Sequence, residues 1–131
     1  MKNLFLTLAA LALSACSTPA DLKRNNPEAA VFTVNAGYQT VLKRIVDQHR
    51  ECDMVPILPI GQAINDVQNY TDLRTAIITR GASGVGTQTH QVIEITETAP
   101  GKTEVKLFQR FRVAHWGKVY ERWANGGTGC D

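Results

Sequence analysis

TQTHQVIEITETAPGKTEVKLFQRFR, residues Thr87–Arg112, is the stretch whose reading decides the fold. In its last part, from Thr103, apolar and polar residues alternate. Val105, Leu107 and Phe111 face one way, and Glu104, Lys106, Arg110 and Arg112 the other, the period of a strand with one wet face. Thr87–Thr98 alternates in the same manner in its second half. Between the two stands APGK, where Pro100 and Gly101 supply the backbone angles of a tight turn. The segment predicts a β-hairpin. Alternation of this kind predicts an antiparallel sheet with one solvated face and one packed face.

Working outward, TAIITR (Thr75–Arg80) predicts a neighbouring strand, and QAINDVQNY (Gln62–Tyr70) a further one. TDLR is a turn between them, and GASGVG (Gly81–Gly86) a flexible loop before Thr87. VFTV (Val31–Val34) is a short strand, after which Asn35 suits a helix N-cap. From Tyr38, the residues Val41, Leu42, Ile45, Val46, His49 and Cys52 follow at offsets of 3, 4, 7, 8, 11 and 14, one helical stripe. Lys43, Arg44, Asp47, Gln48 and Arg50 take the other side. Asp53–Gly61 holds two prolines and reads as a crossing segment, neither helix nor central strand. Near the end, Trp116, Val119, Tyr120, Trp123 and Ala124 recur at helical spacing, and Asn125–Gly127 stops the helix. The two tryptophans and Tyr120 are core residues on this reading.

The sum is β-α-β-β-β-β-α: an α+β domain with an antiparallel four- to five-stranded sheet and both helices packed on one face. This order resembles that of the helix-grip domains, including those in a lipoprotein of the outer-membrane β-barrel assembly machine. The likeness is one of order, not of residues. NAGYQTVLKRIVDQHREC and RWANGGTGC also look like segments of small uncharacterised proteobacterial lipoproteins with a cysteine after each helix. That likeness implies no function.

The chain opens on LFLTLAALALSAC, Leu4–Cys16, preceded by Lys2. A charged start, an apolar run of ten residues and small residues before the cut describe a secretory signal peptide, residues 1–15. Such a run is too short to cross a bilayer, which takes roughly 20 residues. Leu13-Ser14-Ala15-Cys16 resembles the bacterial lipobox. The resemblance implies that Cys16 is lipidated and begins the mature chain, and that the membrane is its first partner. By the sorting rule of such lipoproteins, Ser17 implies the outer membrane, with the domain on the periplasmic face. Residues 16–30 then read as the lipidated cysteine and a flexible tether, whose fourteen residues after Cys16 span about 20 Å. Residues 31–131 form a single domain.

Loss of residues 1–15 leaves 116 of 131 residues, and the formal charge falls from +2 to +1 with Lys2. That is one domain with a modest core, and it lacks the basic footprint of a nucleic-acid binder. Cys52 and Cys130 remain. In an oxidising compartment they predict a disulfide, which would restrain the unfolded chain by roughly 4–5 kcal/mol. Two free thiols or a metal pair are the alternatives, and neither a CxxC nor a Cys/His cluster supports a metal.

The search for chemistry finds little. GASGVGT has no lysine before Thr87 and precedes a strand, so it is not a phosphate loop. His49, His90 and His115 have no metal-ligand spacing, and no metal or cofactor is implied. Ser83 is the only serine of the folded part and lacks a GxSxG elbow. Glu94 and Glu104, on adjacent strands, read as solvated carboxylates that could oppose each other. The remaining candidate is a binding surface: Phe108 on a polar strand face between Lys106 and Arg110, with Arg112 beside them and Ser83 in the mobile loop. Such a surface suits an anionic partner such as lipid headgroup, lipopolysaccharide or an acidic protein patch. The alternative is that a bulge turns Phe108 inward. The expected function is a lipid-anchored periplasmic binding or scaffold domain, not an enzyme, docking to an envelope partner. A carrier of a small apolar ligand between helices and sheet, or an envelope enzyme, is the alternative.

Overall fold

The computed structural model describes residues 17–53, 61–84, 86–111 and 113–131. The segment expected to be a signal peptide and Cys16, most of the proline-containing crossing segment, Val85 and Arg112 lie outside the described residues. The chain runs α1 (Pro19–Asn25), β1 (Glu28–Val34), α2 (Tyr38–Cys52), β2 (Gln62–Tyr70), a short 3-10 turn (Thr71–Leu73), β3 (Thr75–Gly84), β4 (Gly86–Ala99), β5 (Lys102–Gln109) and α3 (His115–Ala124). The strands form one antiparallel sheet in the order β1-β5-β4-β3-β2. The fold is α+β. The connection through α2 carries the chain from one edge of the sheet to the other.

Helices α2 and α3 cover one sheet face. The α2 stripe buries Tyr38, Val41, Leu42, Ile45 and His49, and α3 buries Val119, Tyr120, Trp123 and Ala124. They meet Ala76 and Ile78 of β3, Ile93 and Ile95 of β4, and Val105 and Leu107 of β5, all inaccessible to solvent. The alternation of the opening hairpin is thus realised. The N-cap of α2 is Gly37 rather than Asn35. The first free amide, that of Tyr38, donates instead to Glu97 Oε2 at 3.3 Å. A carboxylate from the end of β4 replaces the local cap, in a place where the helix dipole favours negative charge.

Past α3, Gly126 adopts φ 90°, and the Gly126 and Gly127 amides return to the carbonyls of Trp123 and Arg122. The closing residues then lie along α2. Gly129 N–H donates to Gln48 Oε1 at 3.2 Å, and Trp123 Nε1 donates to Gly129 O at 2.7 Å. Cys52 and Cys130 are disulfide-bonded across 78 residues, with Cα atoms 5.3 Å apart.

Four further expectations need correction. First, residues 17–30 are not a flexible tether. Pro19 starts a helix, where its missing N–H costs nothing, and Thr18 and Asp21 form a reciprocal capping box. Asn26 Nδ2 closes the other end on Leu22 O at 2.8 Å. The strand that follows begins at Glu28, not Val31. Second, GASGVG is not a loop. Gly81–Gly84 and Gly86–Thr89 pair as strands, Gly84 opposite Gly86. The ladder skips one residue between Arg80 and Gly81. A Cβ at Gly81 would lie 2.1 Å from Gln88 O, so only glycine lets the strands close there. Third, Phe111 does not continue the inward row. β5 ends at Gln109, the Val113 amide turns back to Phe111 O, and Phe111 is 63% exposed. Fourth, Glu94 does not oppose Glu104. Glu94 stands opposite Lys106, and Glu104 opposite Thr96.

Candidate functional site

The inward face of the sheet is layered. One row is Ala76, Ile95 and Val105, and the next is Ile78, Ile93 and Leu107. Two residues further along every strand, the apolar residues are replaced together. Arg80 on β3 pairs in register with Gln91 on β4, Gln91 with Gln109 on β5, and Arg80 also with Asn65 on β2. A polar row therefore crosses four strands at one end of the core face. It is the least ordinary feature of this small domain, because buried polar groups cost stability unless they are fully paired.

Most of the row is paired. The Arg80 guanidinium forms an ion pair with Asp53, the residue capping α2. Its Nε donates to Asn65 Oδ1 at 3.1 Å, and its Nη1 to Gln91 Oε1 at 3.2 Å and to Tyr120 OH at 3.3 Å. Asn65 Nδ2 donates to Asp53 Oδ2 at 2.9 Å. The Tyr120 hydroxyl donates to Gln91 Oε1 at 3.0 Å, and His49 Nε2 lies 2.8 Å from the same hydroxyl. With that hydroxyl proton given to Gln91, His49 must carry its own proton on Nε2 and donate. Trp123 packs edge-on against His49 with ring centroids 5.4 Å apart.

Electrostatics keep both rings neutral. Burial, reinforced by the nearby Arg80 cation, pulls His49 down to about 4, with Asp53 opposing. Burial pushes Tyr120 up to about 12, against the pull of Arg80. Arg80 and Asp53 cancel, so the row carries hydrogen-bonding capacity with no net charge.

One group is left over. Gln109 is 6% exposed, and its Nε2 donates to Val113 O at 3.2 Å. Its Oε1 is buried with no hydrogen-bond partner among the described residues. Beside it opens a cleft of about 250 Å³, lined by Asn65, Arg80, His90, Gln109, Phe111 and Trp116 among others. The Arg80 guanidinium lies 6.0 Å from the Trp116 ring centre. The cleft offers aromatic walls and planar polar edges, the mixture of apolar lining and a few placed polar groups that marks small binding sites.

The surface foreseen around Phe108 is not assembled. Phe108 is buried on the sheet face opposite α2 and α3, in a small cluster with Leu22 of α1, Val92 and, half-buried, Ile77. A helix covers it, not a bulge. Lys23 of α1 stands 5.5 Å over its ring and pairs with Glu94. Lys106 is engaged by Glu28 at 3.3 Å and Glu104 at 3.6 Å. Arg110 donates to Gln88 Oε1 at 3.3 Å and lies against Phe111. Ser83 sits in the β3–β4 ladder opposite Thr87 and Gln62. Arg112 and Cys16 are outside the described residues. Among the described residues, no group of three His, Cys, Asp or Glu side chains is placed to hold a metal.

Arg80, Gln91, Gln109, Asn65 and Asp53 were not singled out from the sequence. The signal was available in the phase of alternation. If Ala76 and Ile78 face inward, so does Arg80; Ile95 and Ile93 imply Gln91, and Val105 and Leu107 imply Gln109. No family model, curated protein or solved structure matches the chain.

Proposed function

We propose that the mature chain begins at Cys16, is lipidated there, and serves as a binding domain of the cell envelope on the periplasmic face of the outer membrane. Its partner docks a hydrogen-bond-donating group into the cleft between Phe111 and Trp116. The anchor is supported by Leu13-Ser14-Ala15-Cys16 and by the apolar run before it. A disulfide between Cys52 and Cys130 suits an oxidising compartment. The observation that carries the binding reading is the cleft walled by Phe111 and Trp116, with Gln109 in its lining, whose buried Oε1 has no partner among the described residues and would be repaid by a partner's donor once the side chain turns toward the cleft. Binding is favoured over carriage of an apolar ligand because Trp123, Tyr120 and Ile45 fill the space between helices and sheet.

Two experiments test this. Intact mass of the native protein should show acyl chains on Cys16 in outer-membrane fractions; an unmodified, soluble protein would remove the anchor. For the cleft, Gln109→Met should raise unfolding free energy by about 1 kcal/mol by removing the unpaired carbonyl. The same variant should reduce in-cell photo-crosslinking from position 111 severalfold, relative to a crosslinker at exposed Thr40. Lower stability with crosslinking intact would mean that Gln109 serves the fold alone.

A further inference from the structure

The segment after Cys16 bears on how any anchor is mounted. β5 ends at Gln109, opposite Gln91, and the Arg110 amide makes one more bond, to His90 O at 2.9 Å, so the stretch of β4 before His90 has an open edge on that side. Ser17 takes that edge. It forms a parallel bridge with Gln88. Its N–H donates to Thr87 O at 3.3 Å, and its carbonyl accepts from Thr89 N at 3.3 Å and Thr89 Oγ1 at 3.0 Å. Its hydroxyl accepts from Thr89 N at 3.1 Å. The capping box of α1 begins at the next residue, and Leu22 is seated on Val92 and Phe108 one turn later.

The described chain is thus fastened from Ser17, the residue next to Cys16 in sequence, and no described residue between Ser17 and α1 is left as a free spacer. The same end of the molecule holds Gln62, Ser83, Gly84, Gly86, Thr87 and Gln88, neutral residues all, with Arg110 on Gln88 and the exposed Phe111 ring close by. The other end of the strands is charged: Asp72, Glu97 and Glu104 stand there with Arg74 and Lys102, Arg74 pairing with Glu97 at 3.8 Å and Lys106 with Glu104 at 3.6 Å. β4 alone has 14 residues, which separates its ends by about 40 Å at the rise of a strand.

We propose that the β3–β4 hairpin end rests on the lipid headgroups, so that the anchored domain stands in a fixed orientation with its Thr98–Lys102 end pointing away from the bilayer. This rests on lipidation of Cys16. An end poor in charge, with the Arg110 cation and an exposed aromatic ring, and with the chain fastened to it at Ser17, suits a headgroup interface. It also brings the cleft beside Phe111 close to the membrane, toward partners embedded in or lying on it.

The test uses the lipidated protein in vesicles of phosphatidylethanolamine and phosphatidylglycerol, a fraction of the lipids carrying a nitroxide on the headgroup. A fluorescent non-natural residue is placed at Thr87 in one sample and at Lys102 in another. Headgroup quenching should be severalfold stronger at 87 than at 102. Insertion of ten Gly/Ser residues between Cys16 and Ser17 should shrink that difference. Equal quenching at both positions, in protein whose intact mass shows the lipid, would overturn the fixed orientation and leave the anchor standing. An intact mass without acyl chains would overturn the anchor and the seating with it. Circular dichroism of each sample checks that the label has not unfolded the domain.

Discussion

The two faces of the sheet are covered by unlike means. On one, α2 and α3 bury a continuous core around Trp123, Tyr120 and Ile45, and a disulfide ties the end of α2 to the end of the chain. On the other, seven residues of α1 place a single leucine on Val92 and Phe108. The first cover holds most of the apolar burial, and so supplies the folding energy. The second has one buried apolar side chain, a capping box, the bonds of Ser17 and two surface ion pairs, of which one reaches the sheet, and surface ion pairs add little. It should therefore open locally, at lower cost than the whole domain. Size of cover and importance to the molecule are separate matters: the small cover governs where an anchor at Cys16 would emerge.

The largest effect should come from the disulfide. Replacing Cys52 and Cys130 by serine frees a 78-residue loop in the unfolded chain, a loss of about 4.5 kcal/mol in the chain-entropy treatment. Urea titration should show the whole domain melting earlier, α1 included, because α1 has no core of its own. Survival of α1 signals after the core has melted would break the comparison.

Acid should act on the large cover next. The folded-state value of His49, about 4, lies below the ordinary 6.5, so the unfolded chain binds the extra proton first. Stability from this group is full above pH 6.5 and is lost as pH falls from there toward 4, by at most about 3 kcal/mol. His49→Gln should flatten the slope of unfolding free energy in that window. The small cover responds lower. The hydrogen bonds from Thr18 hold the Asp21 carboxyl below its usual value of 3.8, so its contribution is present above that pH and fades only in stronger acid.

Leu22→Ala should cost about 2 kcal/mol, the lower end for a buried leucine, since its cluster is small. The loss should fall on α1. Tryptic cleavage after Lys23 and Arg24 should quicken about thirtyfold while the core keeps its unfolding midpoint. A matching fall in the core midpoint would show that the two covers are one cooperative unit. Thr18→Ala should be milder, about 1 kcal/mol for a lost cap, read by the same cleavage.

Much of the larger cover was legible in the chain. The alternation at Val105 and Leu107, the stripes from Tyr38 and from Trp116, and the two cysteines each report their own place. They do so because a repeating apolar pattern reflects a face that must be buried. The α1 cover escaped because one leucine has no period. Its traces were Pro19 at a helix start and the Thr18–Asp21 spacing of a capping box. Phe108 was misplaced for the same reason, since its burial depends on a helix more than eighty residues earlier. The glycines of Gly81–Gly86 punctuate most chains, but here they allow two strands to approach closely. The polar row was written in the alternation of three strands, and becomes visible only when Arg80, Gln91 and Gln109 are counted in phase together.

Amide hydrogen exchange on the lipid-free chain from Ser17 onward would test the central claim, that the segment following Cys16 is fastened to the sheet. The amides of Leu22, Asn26 and Thr89 are bonded to Thr18 O, Leu22 O and Ser17 O. They should exchange more slowly than unfolded-chain rates, though faster than Ile93 and Leu107 in the core. Unfolded-chain rates at all three, with the core still protected, would restore a swinging tether and contradict the account.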